Sequence, residues 1–143
     1  MNIRLLTIED YDAAYTLWKA SAGLSLRTLD DSETGIRKFL ERNPLTCFAA
    51  EEDGEMAGTI LGGHDGRRGY IYHVAVKEHF RSRNIGRALI SAVEQAFIQE
   101  GINKAAAVSI RANGGGGRFL TACGYSIRED LAYRTKDLNP ENT

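Results

Sequence analysis

The residues from His73 to Ile90, HVAVKEHFRSRNIGRALI, combine features that can hold a polyanion. An apolar run ends at Val76, a basic loop follows, and an amphipathic stretch begins within Arg83 to Gly86. The front of a helix leaves about four backbone N–H groups without intrahelical partners, and they carry partial positive charge. Phosphate oxygens satisfy such donors. Gly86 would let a ligand approach the backbone closely, and Asn84 is one of the few non-glycine residues that tolerate positive φ. Arg81, Arg83 and Arg87 add charge around the same point, so the stretch reads as a diphosphate site.

Charge distribution points the same way. Residues 67 to 87 carry six cations against Glu78 alone, a net +5, so the rest of a chain of net charge −1 sums to −6. A solvated basic face is the plainer alternative. No GxxxxGK[ST] occurs, and the glycines at 114 to 117 do not fit GxGxxG, so neither common nucleotide fingerprint is present.

The elements that must position this stretch can be read from periodicity and punctuation. NIRLL (2–6) suggests a strand, and Thr7 an N-cap for a helix that runs through Trp18 and fades at Gly23. A second helix starts at Asp31 or Ser32, buries Ile36, Phe39 and Leu40, and ends before Pro44. CFAAEE (47–52), MAGTILGG (56–63) and GYIYHVAV (69–76) are strand-like and joined by turns that each contain Asp-Gly, which favours antiparallel pairing in sequence. Ile85, Leu89, Val93, Ala96 and Phe97 recur at helical spacing up to Gly101, and KAAAVSI (104–110) reads as a strand parallel to the one before that helix. A short helix near Phe119 and Leu120 should start late, near Arg118, or be mobile, because each of Gly114 to Gly117 costs a helix about 1 kcal/mol relative to alanine. YSIRE and LAYRTKDL are candidates for a closing pair of strands. The sum is one α/β domain over 1–143 with a mixed, mostly antiparallel sheet flanked by helices.

Arg81-Ser82-Arg83-Asn84-Ile85-Gly86 resembles the R/Q-x-x-G-x-G/A signature of the GNAT acetyltransferases, at the strand-to-helix junction where that family places it. Asn113…Phe119-Leu120…Gly124-Tyr125 resembles the family's later N-x-x-A-x-x-F-Y-x-x-x-G-F. The resemblance implies a GNAT-like fold and acetyl-CoA as co-substrate, with no metal. It implies that the amides of Arg81, Ser82, Arg83, Asn84, Ile85, Gly86 and Arg87 hold the pyrophosphate. The backbone of Val74, Ala75 and Val76 would pair with the pantetheine arm, and Asn113 and Phe119 would lie beside it. Two departures stand out: Asn84 replaces the usual first glycine, and Leu120 stands where many members have a tyrosine proposed to protonate the departing thiolate.

The activity implied is N-acetyl transfer to an amine of a small molecule or protein, directly, within a ternary complex. Such transfer needs an uncharged amine, and a general base contributes about 10²- to 10⁴-fold. Family members often carry a carboxylate on the strand before the loop, but here it reads Tyr70-Ile71-Tyr72-His73-Val74. His73 is therefore a candidate base, with a histidine packed under a helix as the alternative; Tyr72 stands near the usual carboxylate position. Tyr125 and Tyr133 could supply a proton or shape the acceptor site. His64 and His79 fall in turns and read as solvated. Asp30, Asp31 and Glu33 border the acceptor region and could attract a cation, although Asp31 alone also fits a helix cap. Cys123 has no flanking histidine or acid and makes a poor nucleophile. An acyl-CoA-binding sensor without turnover is the other reading within the family.

Composition limits partners. Net charge −1 argues against a general nucleic-acid role, and no apolar run approaches the roughly 18 residues of a membrane span. Two cysteines form no disulfide framework, and acids appear early in the chain, so a reduced, cytoplasmic protein without a leader is the expectation. Family members often pair, which leaves a homodimer open.

Overall fold

A computed structural model describes residues 1–110 and 114–143. The order is β1 (Asn2–Leu5), α1 (Tyr11–Lys19), α2 (Glu33–Arg42), β2 (Phe48–Glu52), β3 (Glu55–His64), β4 (Gly69–Val76), α3 (Ile85–Gln99), β5 (Ala105–Ala107) and α4 (Gly114–Ala122). The strands form one sheet in sequence order, antiparallel from β1 to β4 and parallel between β4 and β5. This is the mixed α/β sheet that the sequence predicts.

Alternation along β3 builds two apolar layers. Ile60 belongs to the cluster formed with Leu89, Val93 and Phe97 of α3, whereas Leu61 joins Trp18 of α1 and Ile36 of α2 on the opposite face. The two-residue period of a strand accounts for this division. Gly62 is required where α3 packs on β3, because a Cβ there would stand 2.5 Å from the carbonyl oxygen of Thr46 and 3.1 Å from the side chains of Val93 and Phe97. Trp18 is fully buried, and its indole N–H donates to Thr59 Oγ1 at 2.9 Å, so its one polar atom is satisfied.

The turns follow their residues. Asp53 and Gly54 both have positive φ (53° and 79°), as a two-residue hairpin turn demands. In the next turn the Asp65 carboxylate accepts from the N–H groups of Arg67 and Arg68, each at 2.8 Å.

Four expectations need correction. The first helix opens as a single 3-10 turn, Ile8–Asp10, and ends at Lys19, short of Gly23. The fifth strand is only Ala105–Ala107, not 104–110. The stretch 125–138 forms no strands, and Ile127, Leu131, Tyr133 and Leu138 are exposed. α4 begins at Gly114 rather than Arg118. Packing outweighs propensity there: Phe119 and Cys123 rest on the α3 core and hold the helix despite its glycines.

Candidate active site

β4 and β5 pair only from Gly69–Ala105 to Ile71–Ala107. Beyond that point the β5-facing edge of β4 has no strand partner among the described residues. A cleft of about 450 Å³ opens there, between Ile71–Val74 on one side and Ala107–Ile110 on the other. Loop residues 22–25 and the side chains of Phe119 and Leu120 complete its wall. An open backbone edge beside a cavity suits an extended, amide-bearing ligand arm.

A bulge aims His73 at this cleft. Thr59 faces Ala75 and Leu61 faces Tyr72, so one β3 residue is matched by two on β4, His73 and Val74. His73 takes φ +52°, in the left-handed region that only a minority of non-glycine residues adopt. The extra residue puts Tyr72 and His73 together on the α1–α2 face: Tyr72 meets Phe39 edge-on at 6.0 Å and His73 meets Trp18 at 4.8 Å. His73 Nε2 lies 2.6 Å from Asp31 Oδ1, and both side chains are largely buried, at 14% and 8% exposure.

Asp31 is itself held on every side. Its Oδ2 accepts from the Arg27 N–H at 2.6 Å, its carbonyl accepts from the Tyr11 hydroxyl at 2.7 Å, and its N–H donates to the Arg27 carbonyl at 3.1 Å. Ser32, not Asp31, caps α2. Asp30 instead accepts from the Asn142 amide at 2.8 Å.

The front of α3 is open. Asn84 sits in the left-handed region at φ 64°, Ser82 at φ 68°, and no side chain caps the helix. The first helical bond runs from the Ala88 N–H to the Asn84 carbonyl at 3.0 Å, so the N–H groups of Ile85, Gly86 and Arg87 have no intrahelical acceptor. Around them Arg81 donates to the Val76 carbonyl at 3.3 Å, Arg83 stands 3.7 Å from Asp53, and Arg87 donates to the Ala122 carbonyl at 3.4 Å. Each guanidinium retains donors for an anion. Gly86 has a packing role too, because a Cβ there would stand 3.1 Å from the Phe119 ring. Phe119 also lines the cleft, so it joins the helix front to the cavity.

Comparison with known proteins decides the family. The model of the Acetyltransferase (GNAT) family matches residues 9–125. The chain belongs to the GNAT acetyltransferase family. An acetyltransferase of Pectobacterium atrosepticum is 38% identical over 104 residues, 73% of this chain and 72% of that protein. One of Sodalis glossinidius is 33% identical over 137 residues, 96% and 89% of the two chains. The solved structure of AAC(6')-Iy with the bisubstrate analogue CoA-S-monomethyl-acetylneamine superposes with TM-score 0.76 at 20% identity, covering 95% of this chain and 97% of that one.

The GNAT fold brings some of the candidate residues together and separates others. Tyr72, His73, Val74 and Phe119 line the cleft. Ala75 points into the α1–α2 core, so only its backbone is available. Tyr72 is half-exposed, and burial, then the neighbouring Tyr133 and Tyr70, raise its pKa; it is a poorer proton donor than an ordinary tyrosine. Tyr125 lies away from the cleft, along the outer edge of β5, with its hydroxyl donating to Glu94 at 2.9 Å. Burial and then Glu94 push that phenol upward, which argues against Tyr125 as an acid in this GNAT site. His64 is only partly exposed, more sheltered than its turn suggests: it ends β3, with Nδ1 accepting from the Gly66 N–H and Nε2 3.5 Å from Glu100. His79 is exposed beside Glu55. Burial raises the Cys123 thiol, which fits an inert cysteine. Asn113 lies outside the described residues. Among the described residues no cluster of three metal-ligating side chains occurs, and no helix is long and apolar enough to cross a membrane.

Nothing in the sequence pairs Asp31 with His73 or places Ser109 in the cleft wall, whereas Ser25 falls within the 24–31 segment expected to rim the acceptor site. The only signal for Asp31 was an acid just before the Ser32 cap, the same pattern that an ordinary helix start shows.

Proposed function

We propose that this GNAT chain is an N-acetyltransferase that moves an acetyl group from acetyl-CoA to a primary amine of a small molecule or protein, directly, in a ternary complex. One observation carries the reading: an open, cationic helix front and a histidine-bearing cleft are joined through Phe119. The amides of α3 and the surrounding arginines hold the diphosphate. The pantetheine arm runs along the free edge of β4 at Val74 to Val76, with the thioester in the cleft. The acceptor enters from the α1–α2 side, where His73 takes a proton as nitrogen attacks the carbonyl carbon. The C–S bond then breaks, and the thiolate leaves. A thiol with an ordinary pKa of about 8.5 is a good leaving group, so Leu120 in place of a tyrosine acid is compatible with turnover.

The family match, relatives named as acetyltransferases and a neighbour bound to a CoA bisubstrate analogue support this reading. Leu120 in the cleft wall and the absence of an acid on β4 favour a second reading, an acyl-CoA sensor without turnover. Release of free thiol from acetyl-CoA across a panel of amines separates the two. The enzyme reading expects thiol release with at least one amine, falling about 10²- to 10⁴-fold in kcat in His73→Gln with acetyl-CoA affinity retained. No release across the whole panel would favour the sensor, and full activity in His73→Gln would remove His73 from the mechanism.

A further inference from the structure

We propose that Asp31 is the positioning residue that fixes the tautomer of His73 and thereby turns a free ring nitrogen toward the acceptor. The inference rests on the reading of His73 as base and adds what makes it one. An ionised carboxylate accepts hydrogen bonds and donates none. At 2.6 Å from Asp31 Oδ1, Nε2 must carry the proton of the neutral ring, leaving the lone pair on Nδ1.

The structure leaves that lone pair available. Nδ1 has no hydrogen-bond partner among the described residues, yet no buried side-chain nitrogen or oxygen is without one. Among the described residues, then, Nδ1 is not sealed off, and its ring lines the cleft. The ring is fixed from its other sides as well. Trp18 meets it edge-on, the indole N–H donates to Thr59 Oγ1, and that hydroxyl donates to the His73 carbonyl at 3.2 Å. Asp31 cannot swing away, because Arg27 and Tyr11 hold its second oxygen and its carbonyl. The bulge serves the same end: a regular strand would turn residue 73 to the α3 face, away from Asp31.

During transfer Nδ1 takes one proton from the amine as the N–C bond forms and the C–S bond breaks. The other proton stays on Nε2, donated to Asp31, whose charge faces the imidazolium that results. The proton on Nδ1 then passes to the departing thiolate or to water. This division of labour parallels the general logic of a carboxylate that orients a histidine base.

Asp31→Asn is the informative variant. Its amide oxygen can still accept from the Arg27 N–H, while its NH₂ group faces Nε2 and forces the proton onto Nδ1. We expect kcat to fall about 10²- to 10⁴-fold, with KM for acetyl-CoA within twofold of the parent protein. Long-range ¹H–¹⁵N spectra of the three histidines, recorded at alkaline pH with His73→Gln for assignment, provide a readout that needs no activity. His73 should carry its proton on Nε2 in the parent protein and on Nδ1 in Asp31→Asn. A parent ring protonated on Nδ1, or an Asp31→Asn enzyme within threefold of parental kcat, overturns the proposal. If Asp31→Asn does not fold, the parent spectrum alone decides. Loss of activity in His73→Gln but not in Asp31→Asn removes only Asp31; full activity in both removes the base itself.

Discussion

The starts of α2 and α3 are finished in opposite ways. α2 is closed: Ser32 is extended and its Oγ accepts from the Gly35 N–H at 3.0 Å. The turn ahead of α1 is closed as well, by the Asp10 carboxylate accepting from the Thr7 N–H at 2.9 Å. α3 has no such plug. Its flanking residue is a left-handed Asn84, and arginines rather than acids surround it. Where the chain satisfies its own orphan amides the helix start serves stability, and where it leaves them open beside cations the start is suited to an external anion.

Breaking that contrast at α3 should have the largest effect. Asn84→Asp places a carboxylate where the diphosphate is expected, and the Kd for coenzyme A, measured by calorimetry, should rise at least about tenfold, or 1.4 kcal/mol. The melting point of the free protein should not fall, since an acid at a helix front is locally favourable. Ser32→Ala tests the closed kind. It should cost about 1 kcal/mol in denaturant unfolding and leave coenzyme A affinity unchanged.

The smallest effect belongs to Asp10. Its carboxyl is held below the ordinary value of 3.8, first by hydrogen bonds from Arg4, which donates at 2.8 Å to each oxygen. A lowered folded pKa stabilises the protein above the unfolded value, and this contribution disappears as pH falls through the folded one. The parent protein should therefore exceed Asp10→Asn in stability by no more than about 1 kcal/mol at neutral pH. The gap should close below pH 3.8, in unfolding curves recorded across the acid range.

Much of this arrangement is legible in the residues. The period of Ile85, Leu89, Val93 and Phe97 sets α3, and the two turns containing Asp-Gly set β2 to β4 in their antiparallel order. The cations and tolerant backbone of Arg-Asn-Ile-Gly are legible too, but Asn84 is also a good N-cap residue, and only its left-handed φ of 64° shows that its side chain leaves the front of α3 open. The His73–Asp31 pair is not. Its members are 42 residues apart, and they meet only because of a one-residue bulge that Tyr-His-Val does not announce. α4 escapes local reasoning for a related reason: Gly114 to Gly117 argue against a helix, and the contacts of Phe119 and Cys123 that sustain it are tertiary. In 125–138 the alternation that suggests strands leads to no pairing, although β5 ends the sheet and offers an outer edge beside Tyr125.

A thermal melt with coenzyme A beside pantetheine, which lacks the diphosphate, tests the open helix front most directly. At 100 times its Kd, coenzyme A should stabilise the fold by about 2.7 kcal/mol, raising the melting point by about 8–10 °C, while pantetheine at the same concentration moves it far less. A melting point unmoved by coenzyme A, or raised equally by pantetheine, would contradict a diphosphate held at the front of α3.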